Sequence, residues 1–100
     1  MKLPKRIKIG PYRWTLVVLE ESCDDNTWGT CHHGDRRIRM PAQSDADMRV
    51  HLRHEINHVI YRMMGVGPED PEERVVDAFA VGWAMVSEDN PKLMKFLNGR

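Results

Sequence analysis

Cysteine is scarce in this chain, with two in 100 residues. Cys23 and Cys31 are too few for a disulfide framework, which excludes a small secreted scaffold held by bridges; reduced thiols in a cytoplasm are expected instead. Net charge is missing as well. Fifteen basic and fifteen acidic side chains cancel, so no overall field draws the protein to nucleic acid or to an anionic membrane. A long apolar run is also lacking. The stretch from Trp14 to Leu19 is interrupted by Thr15 and is too short for a membrane span or for the apolar part of a secretory signal, and no small-residue cleavage site follows it. Repeats and low-complexity segments are absent. A chain of 100 residues builds one modest core, so a single domain over residues 1–100 is expected.

What is present changes character near Pro41. Before it, "RIKI" and "YRWTLVVLE" carry β-branched and aromatic residues separated by the Gly10-Pro11 turn, "ESCDDN" reads as a polar loop, and "TWGTCHH" and "RRIRM" flank a tight turn at His33-Gly34-Asp35. A small antiparallel meander ending near Met40 is the expected result. Beyond Pro41 the apolar period becomes that of a helix. Ser44 or Asp45 caps a helix through "DADMRVHLRHEINHVIYRMM" that stops at Gly65. A second helix is predicted with Asp70 as N-cap, Pro71 at its first position and Glu73 closing a capping box, ending near Glu88. "NPKLMKFLN" adds a short third helix. Strands first and helices after define an α+β domain.

The first long helix contains the segment that bears chemistry, "RHEINHVIYRM". At about 100° per residue, Leu52, Ile56, Val59, Ile60 and Met63 form a core stripe, and His54, Glu55 and His58 gather on a polar face turned away from it. Two imidazoles at i and i+4 stand one above the other, close enough to share a zinc ion, and the carboxylate after the first lies beside the metal without binding it. In that position Glu55 takes a proton from the attacking water and passes it to the leaving amine.

A catalytic zinc normally has three protein ligands, so a third must come from another segment. The second helix offers Glu73, with Asp77 one turn later in position to accept the free N–H of a ligand histidine. Glu72 is the rival, without an acidic residue four positions on. Glu73 also has a purely structural reading as the reciprocal residue of the capping box. On the same helix Val76, Phe79, Ala80 and Trp83 are expected to face the core.

The segments "LRHEINHVIYRMMG" and "EERVVDAFAVGWAMVSEDNP" together resemble the small gluzincin-type zinc peptidases of the ImmA/IrrE-like group, especially their compact phage-encoded versions. The resemblance spans roughly residues 27 to 97 and implies a minimal zincin-like fold. It also implies Zn2+ held by His54, His58 and Glu73, with Asp77 as outer partner, Glu55 as general base, and a protein or peptide as substrate. It further implies that the strand before the helix, Arg36 to Met40, offers its backbone edge to an extended substrate. The oxyanion-stabilising Tyr or His of larger relatives has no counterpart by spacing; Tyr61, Tyr12 and His51 are the substitutes at hand. Without one, the alternative is a zinc-stabilised accessory or interaction module that cleaves nothing.

Other polar groups read more simply. Cys23, Cys31, His32 and His33 match no common zinc module and are taken as strand and turn positions. His51 is expected to be solvated. Arg36, Arg37 and Arg39 lack the interleaved aromatics of a nucleic-acid surface, so neither nucleic acid nor a membrane is an expected partner.

Overall fold

A computed structural model describes residues 3–19 and 30–99. Four strands, β1 (Arg6–Ile9), β2 (Tyr12–Leu19), β3 (Thr30–His32) and β4 (Arg37–Pro41), precede three helices, α1 (Asp45–Met63), α2 (Glu72–Asp89) and α3 (Pro91–Leu97). The α+β order is as expected. The "ESCDDN" loop, Cys23 and the first residues of "TWGTCHH" lie outside the described residues.

Strict alternation builds the sheet. Ile7 and Ile9 of β1, Trp14 and Leu16 of β2, and Ile38 and Met40 of β4 are all buried, while Arg6, Lys8, Arg13, Thr15 and Arg37 between them face solvent. Gly10 turns β1 into β2 with φ of 61°, a left-handed conformation that a side chain resists, and a Cβ there would run into the Met63 sulfur. The β1–β2 and β3–β4 pairs are antiparallel. They do not continue as one meander. β2 pairs in parallel with β4, from Thr15 opposite Arg37 to Leu19 opposite Pro41, and the sheet order is β1-β2-β4-β3. One consequence corrects the docking edge expected from the resemblance: β4 is bonded on both sides, and among the described residues the outermost strand beside α1 is β3.

Ser44 caps α1 by accepting the Asp47 N–H at 3.2 Å. Leu52, Ile56, Val59 and Ile60 of this helix are at most 2% exposed, as its apolar period requires. α1 meets a different element on each side. Arg49 Nε donates to Phe96 O at 2.9 Å and an Arg53 guanidinium nitrogen to Leu97 O at 2.7 Å, so two α1 arginines hold the carbonyls at the end of α3. α2 approaches at Gly82, where a Cβ would overlap the Ile60 side chain, and Trp83 Nε1 donates to Asn57 Oδ1 at 2.8 Å. The remaining side, carrying Glu55, His58 and Arg62, faces the β3 end of the sheet.

Two details of α2 differ from expectation. Its N-cap is Pro71, with no side-chain cap bond. Asp70 instead accepts from the Gly67 N–H and from Arg74 Nε, both at 2.7 Å, and these two donors hold its carboxyl below the ordinary value. The capping box therefore does not form, and Glu73 has no capping duty. The buried side of α2 is Ala78, Gly82 and Val86, with Phe79 and Trp83 packed partly against the core; Val76 is 54% exposed and Ala80 is exposed. The close approach at Gly82 rotates the contact line away from Val76.

Asn90 fastens the helices to the sheet. It is buried, accepts the Lys8 N–H at 2.7 Å, and donates to Lys8 O at 2.6 Å and Val86 O at 2.9 Å, which satisfies an outward-facing position of the β1 edge as a neighbouring strand would. Asn90→Ala is expected to cost about 2–4 kcal/mol, since it strands the Lys8 backbone groups as well as removing the side-chain bonds. Urea unfolding measures this; a loss under about 0.5 kcal/mol would mean that water replaces the amide at no cost.

Candidate metal centre

His54, Glu55 and His58 occupy successive turns of the middle of α1, where the core stripe pins the backbone on one side and leaves these groups on the other. The two Nε2 atoms lie 3.1 Å apart, with the rings edge to face at 82° and centroids 4.7 Å apart. Glu55 Oε2 is 4.0 Å from His54 Nε2. One ligand atom from each of the three lies within 4.8 Å of the others.

This donor set fits a transition metal. Two nitrogens on one tetrahedral zinc, at about 2.0–2.1 Å from it, are separated by about 3.3 Å, close to the 3.1 Å found here. Imidazole nitrogens are also the donors zinc favours.

Glu55 is where sequence expectation and structure part. The helical wheel puts it on the polar face with the histidines, yet its side chain is 8% exposed against 66% for His54. The reason is the sheet. Glu55 sits at the margin of the core stripe, and the β3 end closes over that margin. Among the described residues it is the one buried group that carries a charge, Asn90 being the other buried polar side chain. A carboxylate is costly to bury without a positive partner, and His54, whose Nε2 is 4.0 Å from it, is such a partner only when protonated.

Beside the cluster opens a cleft of about 700 Å³ lined by Glu55, His58, Tyr61 and Arg62 on the α1 side and by Cys31 and His33 on the other. A smaller hollow of about 250 Å³, floored by Ile9, Trp14, Val59 and Met63, adjoins it and shares His33 and Arg62. Cys31 and His33, read from sequence as strand and turn positions, thus share a cleft with Glu55 and His58. No sequence signal marked them, because their closeness to Glu55 depends on where β3 lies in the sheet. Of the three substitutes for the missing oxyanion donor, Tyr61 lines the larger cleft and Tyr12 the smaller hollow. His51 is half-buried, with its Nδ1 2.6 Å from Gln43 Oε1.

Glu73 and Asp77 are exposed on the first turns of α2 and do not belong to the cluster. Glu72 is exposed beside them. If α2 supplies the third ligand through Glu73, Glu73→Ala weakens zinc binding by about 100-fold while Glu72→Ala leaves it within about twofold. Competition with a chromogenic chelator measures both; equal affinities for the two variants would take the third ligand away from Glu73.

No protein-family model matches the chain, and no curated protein or solved structure matches it significantly. The chemistry of the site therefore rests on its own side chains. Among the described residues no helix is long and apolar enough to cross a membrane.

Proposed function

We propose that this protein is a zinc-dependent peptidase that hydrolyses a peptide bond in a protein substrate. The observation that carries the reading is the buried Glu55 carboxylate at the wall of an open cleft, one residue from a pair of imidazoles whose nitrogens are 3.1 Å apart. The likeness of the HExxH helix and the following segment to small gluzincins supports it, and so do the donor types. His54 and His58 would hold the metal, with Glu73 as the third ligand.

A bound zinc ion supplies Lewis acidity, polarising the peptide carbonyl and acidifying the attacking water. Glu55 takes the proton from that water and delivers it to the nitrogen of the leaving amine as the C–N bond breaks. Its burial suits the task, because a carboxylate with few water contacts holds a fixed position and accepts the proton without first shedding a hydration shell. Among the described residues β3 is the outermost strand on the cleft side of the sheet, and an extended peptide laid along it would run beside the cleft.

The alternative, a zinc-stabilised module without hydrolysis, has a weaker physical basis. His54 and His58 lie on adjacent turns of one helix, so these two ligands by themselves close no long loop; a third from Glu73 would link α1 to α2, two helices that already pack on a common core. The helix is already held by side chains that are fully buried in the core.

The test uses the purified protein. Elemental analysis should find about one zinc per chain, and cleavage of a mixed peptide library should stop on chelation and return with zinc. Cleavage that survives complete metal removal would sink the proposal.

A further inference from the structure

His33 and Cys31 face Glu55 and His58 across the larger cleft, and the peptidase reading so far gives them no part. His33 is held from two sides. Its Nε2 lies 3.6 Å from Cys31 Sγ. The Trp14 ring meets it edge-on, with centroids 5.5 Å apart and planes at 88°, and Trp14 is itself buried in the sheet's inner face. An imidazole packed in this way has little freedom to turn.

The surroundings also set the protons of the pair. Burial, and next the Glu55 carboxylate, push the Cys31 thiol up to about 11, so it keeps its hydrogen at neutral pH. A thiol shifted in that direction is a poor nucleophile, which argues against a cysteine–histidine catalytic pair. Burial, followed by the Arg62 charge, pushes His33 below its ordinary value, which favours the neutral ring. The 3.6 Å contact is compatible with either direction; when the thiol donates S–H, Nε2 is the acceptor and the ring hydrogen sits on Nδ1.

Hydrolysis needs a donor for the carbonyl oxygen as negative charge builds on it, and that donor works best when fixed beforehand. Tyr61 and Arg62 line the cleft but project from the same helix as Glu55, which serves the attacking water. Arg62 is also exposed on a long flexible stem. His33 comes from the opposite wall on a braced ring. We propose that His33 is the oxyanion-binding residue of this cleft, donating Nδ1–H to the carbonyl oxygen of the scissile peptide, with Cys31 as the positioning residue that holds its ring and tautomer. The proposal rests on the hydrolytic reading above.

The experiment compares zinc-loaded parent, His33→Ala, His33→Gln and Cys31→Ala proteins, each checked by a thermal melt. Three quantities are read: zinc content, affinity for N-phosphoryl-leucinamide, whose tetrahedral phosphoryl group mimics the attacked carbonyl, and the ring tautomer by 15N NMR. All four proteins should hold one zinc. His33→Ala should weaken the phosphoryl compound by about 10- to 100-fold, with part of the loss recovered in His33→Gln, whose amide restores a donor. Acetohydroxamate, which needs no oxyanion donor, should bind parent and His33→Ala within about threefold of each other, as expected for a ligand held by the metal alone. His33 of the parent should be the Nδ1–H tautomer, and Cys31→Ala should lose that preference. Zinc lost from His33→Ala would make His33 a ligand and overturn the proposal. Unchanged phosphoryl affinity, or an Nε2–H tautomer in the parent, would overturn it while leaving the peptidase reading intact. A parent that takes up no zinc defeats the peptidase reading, and this proposal with it.

Discussion

A Glu55→Gln protein is expected to fold and take up zinc like the parent while losing hydrolysis by about 10²- to 10⁴-fold, the contribution of a positioned general base. The amide matches the carboxylate in shape but accepts no proton from water. Because the Glu55 side chain is 8% exposed, a neutral replacement removes a buried charge, so stability should hold or rise. Thermal melts and elemental analysis verify the first part. For the second, new peptide ends are compared across the proteomes of cells making the parent and cells making the variant. Identical ends at identical levels would remove Glu55 from the chemistry and favour a module that binds metal and cleaves nothing.

The second large effect concerns the metal itself. His54→Ala and His58→Ala should each reduce retained zinc from about one per chain to nearly none after dialysis against a chelator, since either change leaves at most two protein ligands. Both histidines are exposed, so the metal-free variants should melt within a few degrees of the metal-free parent. That contrast separates loss of a ligand from loss of the fold. Full zinc retention in either variant would place the metal elsewhere.

Much of the secondary structure was legible because it follows from periods carried by neighbouring residues. The alternation of Ile7 and Ile9 with Arg6 and Lys8 marks β1, and the spacing of Leu52, Ile56, Val59 and Ile60 marks α1 and its buried face. A cap at Ser44 or Asp45 was legible for the same reason, since a cap and its N–H are three residues apart, and the structure selects Ser44. Asp70 was misjudged because two local bonding patterns compete there: the turn at Gly67 and the Arg74 side chain take its carboxylate before the helix can. The period of α2 predicts a stripe of Val76, Phe79, Ala80 and Trp83; Phe79 and Trp83 do pack on the core, but Gly82 draws the helix against Ile60 along a neighbouring line that leaves Val76 and Ala80 exposed. Periodicity gives an apolar sector, and close approach at a glycine selects which edge of that sector is covered.

For the site, the sequence by itself determined that His54, Glu55 and His58 share one side of one helix, because the helical repeat places residues separated by four on adjacent turns whatever else the chain does. It also determined the donor types, and so the kind of metal they suit. Tertiary structure alone decided that Glu55 is buried while His54 and His58 are exposed, that β3 rather than β4 is the outermost described strand, and that Cys31 and His33 line the cleft with Glu55. These facts depend on the parallel pairing of β2 with β4, which sends β3 to the outside of the sheet and brings its end over α1. Strand order and direction are set by how whole elements pack on a common core, and alternation within a strand is the same for either neighbour and either direction.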